Sequence, residues 1–157
     1  MLVRTPRLTL AGLTRAEWSR VLEGEGTEWA PDYPTEGDLV AAALVVAGDW
    51  PAGDWGPLQI RRIDDGMAIG GVGCKGMPSD DGRVEIGYGL VPSARDHGYA
   101  TEAVLGLLEW LRHEGVREVV AECDVDNVAS RAVLTRCGFA ESEGAGTSSW
   151  WVRRLSR

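Results

Sequence analysis

Hydrophobic and polar positions alternate at the start of the chain. Leu8 and Leu10 share one face and Arg7 and Thr9 the other, which predicts an opening strand. Residues 14–22 predict a short helix that Thr14 can cap. Residues 23–35, rich in Gly, Glu, Pro and Trp, predict an irregular loop, and residues 36–48 a second helix stopped by Gly48 and Pro51. Strands follow at 57–64 and 67–75, separated by the hairpin signal Asp65-Gly66. Residues 83–91 alternate clearly, with Val84, Ile86, Tyr88 and Leu90 on one side and Glu85, Gly87 and Gly89 on the other. The period then becomes helical. Ala103, Val104, Leu107, Leu108 and Leu111 line one face of a helix over 99–114, ended by Gly115. Residues 116–126 predict a further strand. A helix capped by Asn127 buries Val133, Leu134 and Cys137, and two strands at 139–143 and 149–155 close the chain. This order predicts a mixed α/β (α+β) sheet, not a doubly wound one.

The length, 157 residues, suits one domain spanning 1–157. The longest apolar run, residues 39–47, is too short to cross a bilayer, and the first ten residues lack the apolar core of a signal peptide. Cys74, Cys123 and Cys137 are far apart and form no paired motif, which points to a reducing, cytoplasmic setting. The net charge of −8 argues against a nucleic-acid partner or an anionic membrane surface. That charge is concentrated. Residues 21–60 hold eight acids (Glu23, Glu25, Glu28, Asp32, Glu36, Asp38, Asp49 and Asp54) and no Lys or Arg. The block reads either as a solvated acidic surface or as a field that gathers a cationic ligand.

Gly71, Gly73 and Gly76 spell GxGxxG, but a turn and a strand follow them, not the helix that a dinucleotide fingerprint requires. Cys74, Cys123, His97 and His113 lack metal-ligand spacing, so no metal is expected. Cys137 sits near a helix C-terminus, which disfavours a thiolate nucleophile. Two segments carry more chemistry. In PSARDHGYATEAV (92–104) a strand ends and a helix begins after Arg95, Asp96, His97 and Gly98, an arrangement that offers free backbone N–H groups to an anion. Taken alone, it reads equally as an ordinary strand-to-helix turn. In NVASRAVLTRCGF (127–139), Asn127 and Ser130 place an amide and a hydroxyl on a first helical turn, which capping alone also explains.

Together these segments resemble the GNAT superfamily of acyl-CoA-dependent N-acetyltransferases, in particular its Rim-type branch of ribosomal-protein N-terminal acetyltransferases. TPRLTL resembles that branch's first strand, VEIGYGL its central strand, RDHGYATEAV its RGxGYATEA phosphate loop, and NVASRAVLTRCGF its NxxSxxVLxxxGF helix. The resemblance implies the GNAT-type fold, a central, mostly antiparallel, splayed sheet flanked by helices. It implies acetyl-CoA as acyl donor. The pantetheine would pair near Leu90 and Val91, the pyrophosphate would sit on Arg95, Asp96, His97, Gly98, Tyr99, Ala100 and Thr101, and Asn127 and Ser130 would face the thioester end. Two positions depart from the family pattern. Asp96 stands where the loop's first glycine is usual, and Leu134 where many members carry a tyrosine acid.

The implied reaction is acetyl transfer to a primary amine by direct attack in a ternary complex. A backbone N–H near Val91 is expected to polarise the thioester carbonyl, and Ser130 to protonate the leaving sulfur. Glu85, which shares a face with Gly87 and Gly89, is the expected base; the bland alternative is a surface carboxylate in a cross-strand pair. Glu28, Trp29, Asp32, Tyr33 and Asp38 are the expected contacts for a cationic acceptor, either a small molecule or a peptide amine. The alternative for the chain as a whole is a CoA-binding sensor that no longer turns over. Edge strands and an exposed Trp150–Trp151 pair permit a homodimer as well as a monomer.

Overall fold

The computed structural model describes residues 1–156, with the segment 143–145 described by its backbone alone. Eight strands form one sheet: β1 (Leu2–Arg4), β2 (Leu8–Gly12), β3 (Pro57–Arg62), β4 (Ala68–Cys74), β5 (Arg83–Leu90), β6 (Glu118–Asp124), β7 (Ala140–Ala145) and β8 (Ser148–Arg154). Their spatial order is β1-β2-β3-β4-β5-β6-β8-β7. Every neighbouring pair is antiparallel except β5 and β6, which are joined through helix α3 (Tyr99–His113). A crossover helix is what a parallel pair requires. The other helices are α1 (Arg15–Leu22), α2 (Glu36–Ala47) and α4 (Val128–Arg136).

Local signals account for the helix ends. Thr14 and Glu17 form a capping box at α1, and Thr35 and Asp38 form one at α2. Gly48 closes α2 in the left-handed conformation. All five apolar positions expected on α3 are buried. No described helix is long and apolar enough to cross a membrane. β1 is an addition to the sequence-based expectation, because three residues carry too little alternation to be read.

The strand pleat sorts side chains onto two faces. The register aligns Leu10, Ile60, Gly70 and Leu90 in one row, and this face packs against α3. It aligns Ala11, Gln59, Gly71 and Gly89 in the next row, which faces the α2 side. Trp151 belongs to the core at 5% exposure. Its indole N–H donates to Ser149 Oγ at 3.0 Å, and the Arg131 guanidinium lies 5.2 Å from its ring centre. Trp150 is half-buried. The exposed tryptophan pair expected at a dimer face is therefore absent, because α4 and its arginine cover Trp151.

Candidate active site

β5 and β6 begin as partners and then separate. Their register runs from Arg83↔Glu118 to Ile86↔Ala121 and stops, although β5 stays on β4 as far as Leu90 and β6 stays on β8 as far as Asp124. A cleft opens between them. Lys75 N–H donates to the Glu85 carbonyl, and Val91 N–H to the Ile69 carbonyl, both at 2.9 Å. The antiparallel alternation then turns the backbone groups of 85, 87, 89 and 91 toward β4 and those of 86, 88 and 90 away from it. Tyr88 and Leu90 have no β6 partner, so their backbone polar groups face the cleft. This narrows the expected donor near Val91: the Val91 N–H is occupied by the Ile69 carbonyl, and the N–H turned toward the cleft is that of Leu90.

At the end of β5 a short 3-10 turn (Pro92–Ala94) leads into residues 95–98 and then α3. Arg95, Asp96 and His97 are exposed. Asp96 has φ 66° and Gly98 φ 80°. The loop needs a left-handed residue where Asp96 stands, which accounts for a glycine in the family pattern; aspartate is among the few residues that tolerate that region. The N–H groups of Asp96, His97 and Gly98 and the first ones of α3 are free to meet an anion, whereas those of Ala94 and Arg95 close the 3-10 turn. The loop is braced from β1–β2. Arg7 donates to the His97 carbonyl at 2.9 Å and to Glu102 at 2.7 Å, and lies 4.4 Å from the centre of the Tyr99 ring. Thr5 Oγ1 donates to Glu102 Oε2 at 2.5 Å. Burial alone would raise the Glu102 carboxyl, but the bonds from Thr5 and Arg7 outweigh it and leave it below its ordinary value. Sequence analysis missed Arg7, since nothing local marks a strand residue as the brace of a loop about ninety positions later.

On the far side of the cleft, Asn127 Oδ1 accepts the Ser130 N–H at 3.0 Å and caps α4. Ser130 Oγ and Tyr88 Oη are 2.7 Å apart. Burial pushes the Tyr88 phenol up to about 12, so it stays protonated. Tyr88 was read only as an apolar position. A hydroxyl on the buried face of a strand is the signal that would have found it, because such a group needs a partner. Leu134 is fully buried and takes no part. Burial pushes the Cys137 thiol up to about 11, in keeping with an inert cysteine.

On the other face, a cavity of about 490 Å³ lies between α2 and strands β4 and β5. Its floor is four glycines in two facing pairs, Gly71↔Gly89 and Gly73↔Gly87. The space above Gly89 is open, with no atom within 4 Å of where a Cβ would stand. Asp38 hangs over Gly71, its Oδ1 2.6 Å from that residue's Cβ position. At the far end Lys75 Nζ meets Glu85 Oε2 at 2.7 Å. Glu85, the expected base, is held in this cross-strand ion pair, the arrangement given above as its alternative. Glu36 and Trp50 complete the polar and aromatic lining.

Of the five residues expected to hold an acceptor, only Asp38 lines this cavity. Asp32 Oδ1 and Oδ2 accept from Ser93 Oγ and N–H at 2.6 and 2.8 Å, so its carboxylate ties the loop to the end of β5. Tyr33 is buried, and its hydroxyl accepts from Gln59 Nε2 at 3.0 Å. Trp29 packs edge-on against Tyr33 and lines a separate hollow with Glu25 and Arg61. Glu28 is exposed and pairs with Arg61 at 3.8 Å. These four lie outside the cavity lining. Their spacing in the chain could not reveal which face of the loop each would take.

The acetyltransferase (GNAT) domain family matches residues 7–140. The N-acetyltransferase YjdG of Bacillus subtilis, itself uncharacterised, is 33% identical over 94 residues, covering 59% of this chain and 56% of that protein. N-alpha-acetyltransferase 30 of Schizosaccharomyces pombe is 30% identical over 89 residues, covering 54% of this chain and 59% of that protein. The chain thus spans little more than half the length of these curated relatives. Among solved structures, RimL, a ribosomal L7/L12 alpha-N-protein acetyltransferase in complex with coenzyme A, superimposes with TM-score 0.72 at 17% identity, covering 99% of this chain and 98% of RimL. A GNAT-family acetyltransferase from Bacillus anthracis gives TM-score 0.71 at 18% identity, covering 98% of each chain. At these identities the likeness is one of fold.

Proposed function

The chain belongs to the acetyltransferase (GNAT) domain family, and from that premise we propose that it transfers an acetyl group from acetyl-CoA to a primary amine held beneath α2. One observation carries this reading. The cavity is lined by Gly87, Tyr88 and Gly89, the stretch of β5 that has already parted from β6, so a thioester in the cleft and an amine in the cavity would meet across a single strand.

In this reading the 95–101 loop holds the pyrophosphate on backbone N–H groups, and Leu90 N–H polarises the thioester carbonyl. Asn127 shapes the turn that presents Ser130. Ser130 delivers a proton to the departing sulfur and draws on Tyr88, which is already in hydrogen-bond contact with it. A thiol with pKa of about 8.5 is a fair leaving group, so a hydroxyl relay is sufficient. The Lys75–Glu85 pair forms the polar end wall against which the rest of the acceptor rests.

The cavity lining carries Glu36 and Asp38, and its Lys75 is paired with Glu85, which leaves a net negative charge that suits a cationic amine. A peptide or protein N-terminal α-amine is the preferred acceptor. Its pKa of about 8 makes it easier to deprotonate than a lysine at about 10.4. The names of RimL and of the fission-yeast relative point the same way. Three free, buried cysteines accord with action in the cytoplasm.

The test is a calorimetric titration with acetyl-CoA, followed by thiol release in the presence of a peptide with a free N-terminus and of spermidine. Saturable binding with amine-dependent thiol release is expected. Tight binding without release for either amine would favour a CoA-binding module, and absence of binding would remove the acyl-transfer reading.

A further inference from the structure

We propose that Asp38, not Glu85, is the general base that takes the proton from the acceptor amine; the inference rests on the acetyl-transfer reading above. Gly71 sits directly opposite Gly89 in the β4–β5 register, as a hydrogen-bonded pair whose Cα atoms are about 5.5 Å apart. Asp38 Oδ1 overhangs Gly71, one strand away from the open space above Gly89 where the amine meets the cleft. Glu85 is four residues back along β5, about 13 Å away, and is held by Lys75.

Asp38 is 5% exposed. Its Oδ2 accepts the capping-box bond from Thr35 N–H at 3.0 Å and a further bond from Thr35 Oγ1 at 2.9 Å. Oδ1 has no partner within the described residues and is directed at the glycine floor. A cap requires one oxygen, so the second is available to a ligand. Gly71 fits the same logic, since an alanine Cβ there would occupy the position of the carboxylate oxygen. Burial raises the Asp38 carboxyl above the ordinary aspartate range, against the opposing pull of the Thr35 bonds, which strengthens it as a base.

The groups facing this carboxylate are Glu36 on its own helix, the Tyr33 hydroxyl with Gln59 and Arg61 behind it, and the Lys75–Glu85 pair from β4 and β5. The protons balance as follows. One leaves the ammonium for Asp38 Oδ1 and passes on to solvent. The freed lone pair forms the N–C bond, the C–S bond breaks with its electron pair on sulfur, and the second N–H proton ends on that sulfur.

The experiment compares the wild-type chain with Asp38→Asn and Gly71→Ala. It uses a peptide with a free α-amine and, separately, hydroxylamine, a nucleophile already neutral at assay pH. Asp38→Asn is expected to lower kcat/KM for the peptide by about 100-fold or more, with a much smaller loss for hydroxylamine. Acetyl-CoA affinity and melting temperature are expected to stay the same. The wild-type rate falls as pH drops through the raised Asp38 pKa, and that limb is expected to vanish in Asp38→Asn. Gly71→Ala, which keeps the carboxylate but displaces it, is expected to reproduce the peptide loss. Wild-type kcat/KM and pH limb in Asp38→Asn would overturn the assignment, as would equal losses for both nucleophiles. A wild-type chain that transfers to neither nucleophile would instead sink the acetyl-transfer reading itself.

Discussion

Two glycines on opposite faces of the central strands, Gly70 and Gly89, are used in opposite ways. On the α3 face a Cβ added to Gly70 would stand 2.1 Å from the Gly89 carbonyl oxygen, so that glycine lets two backbones approach. On the α2 face Gly89 has nothing within 4 Å, so that glycine keeps a space empty. The same residue type, on neighbouring strands of one sheet, serves packing in one place and a ligand in the other. Stability and activity are therefore expected to separate between Gly70 and Gly89.

The largest expected effects test this contrast directly. Gly89→Val fills the junction of cavity and cleft, and is expected to lower kcat/KM by at least about 100-fold while the melting temperature holds. Gly70→Ala is expected to destabilise the fold by about 2–3 kcal/mol, read by denaturant unfolding. If Gly89→Val unfolds the chain, the two glycines are not distinct in the way described.

Next come the residues that meet across the cleft. Ser130→Ala and Tyr88→Phe are each expected to reduce kcat by about 10- to 100-fold with little change in the acceptor KM. The double variant is expected to be no worse than the weaker single, because the two hydroxyls act as one relay. Additive losses would show two separate roles.

The phosphate loop is expected to respond more gently. Asp96→Gly removes a carboxylate beside a polyanion and relieves a left-handed backbone, so acetyl-CoA is expected to bind about 2- to 5-fold tighter by calorimetry. Arg7→Ala is expected to weaken that binding by loosening the brace on His97 and Tyr99. The Arg7–Glu102 contact carries its own pH signature. The Glu102 carboxyl is lowered in the folded chain, so its stabilisation is present above the ordinary value of 4.5 and is lost as pH falls through the lower folded one. A thermal-melt series across that range, compared with Arg7→Ala, would isolate it. The smallest effect is expected from Asp32→Ala. The acceptor KM should not change, since both oxygens of that carboxylate are engaged by Ser93.

Much of the donor side was legible because its residues are neighbours in the chain. Residues 92–104 build a strand end, a turn and a helix start in sequence, and Asn127 and Ser130 share one helical turn. Local chemistry suffices there. The acceptor side was legible only in part. Of the room expected above Gly87 and Gly89, the structure leaves that above Gly89 open and puts the Lys75 side chain over Gly87, and the partners that complete the floor, Gly71 and Gly73, carry in sequence only the look of a failed dinucleotide motif. Asp38 counted as one acid among eight, and Lys75 drew no attention.

The amino-acid order by itself determined most of the elements, the mixed α/β class and the strand-to-helix turn at 92–104, since these depend on contacts a few residues apart. Tertiary structure alone decided which carboxylate overlooks the glycine floor, which backbone N–H faces the cleft and which hydroxyl backs Ser130. Those depend on strand register, where a shift of one residue would turn every side chain to the opposite face and every N–H to the opposite neighbour. Register is set by the packing of the whole sheet, so no local stretch of this chain contains it.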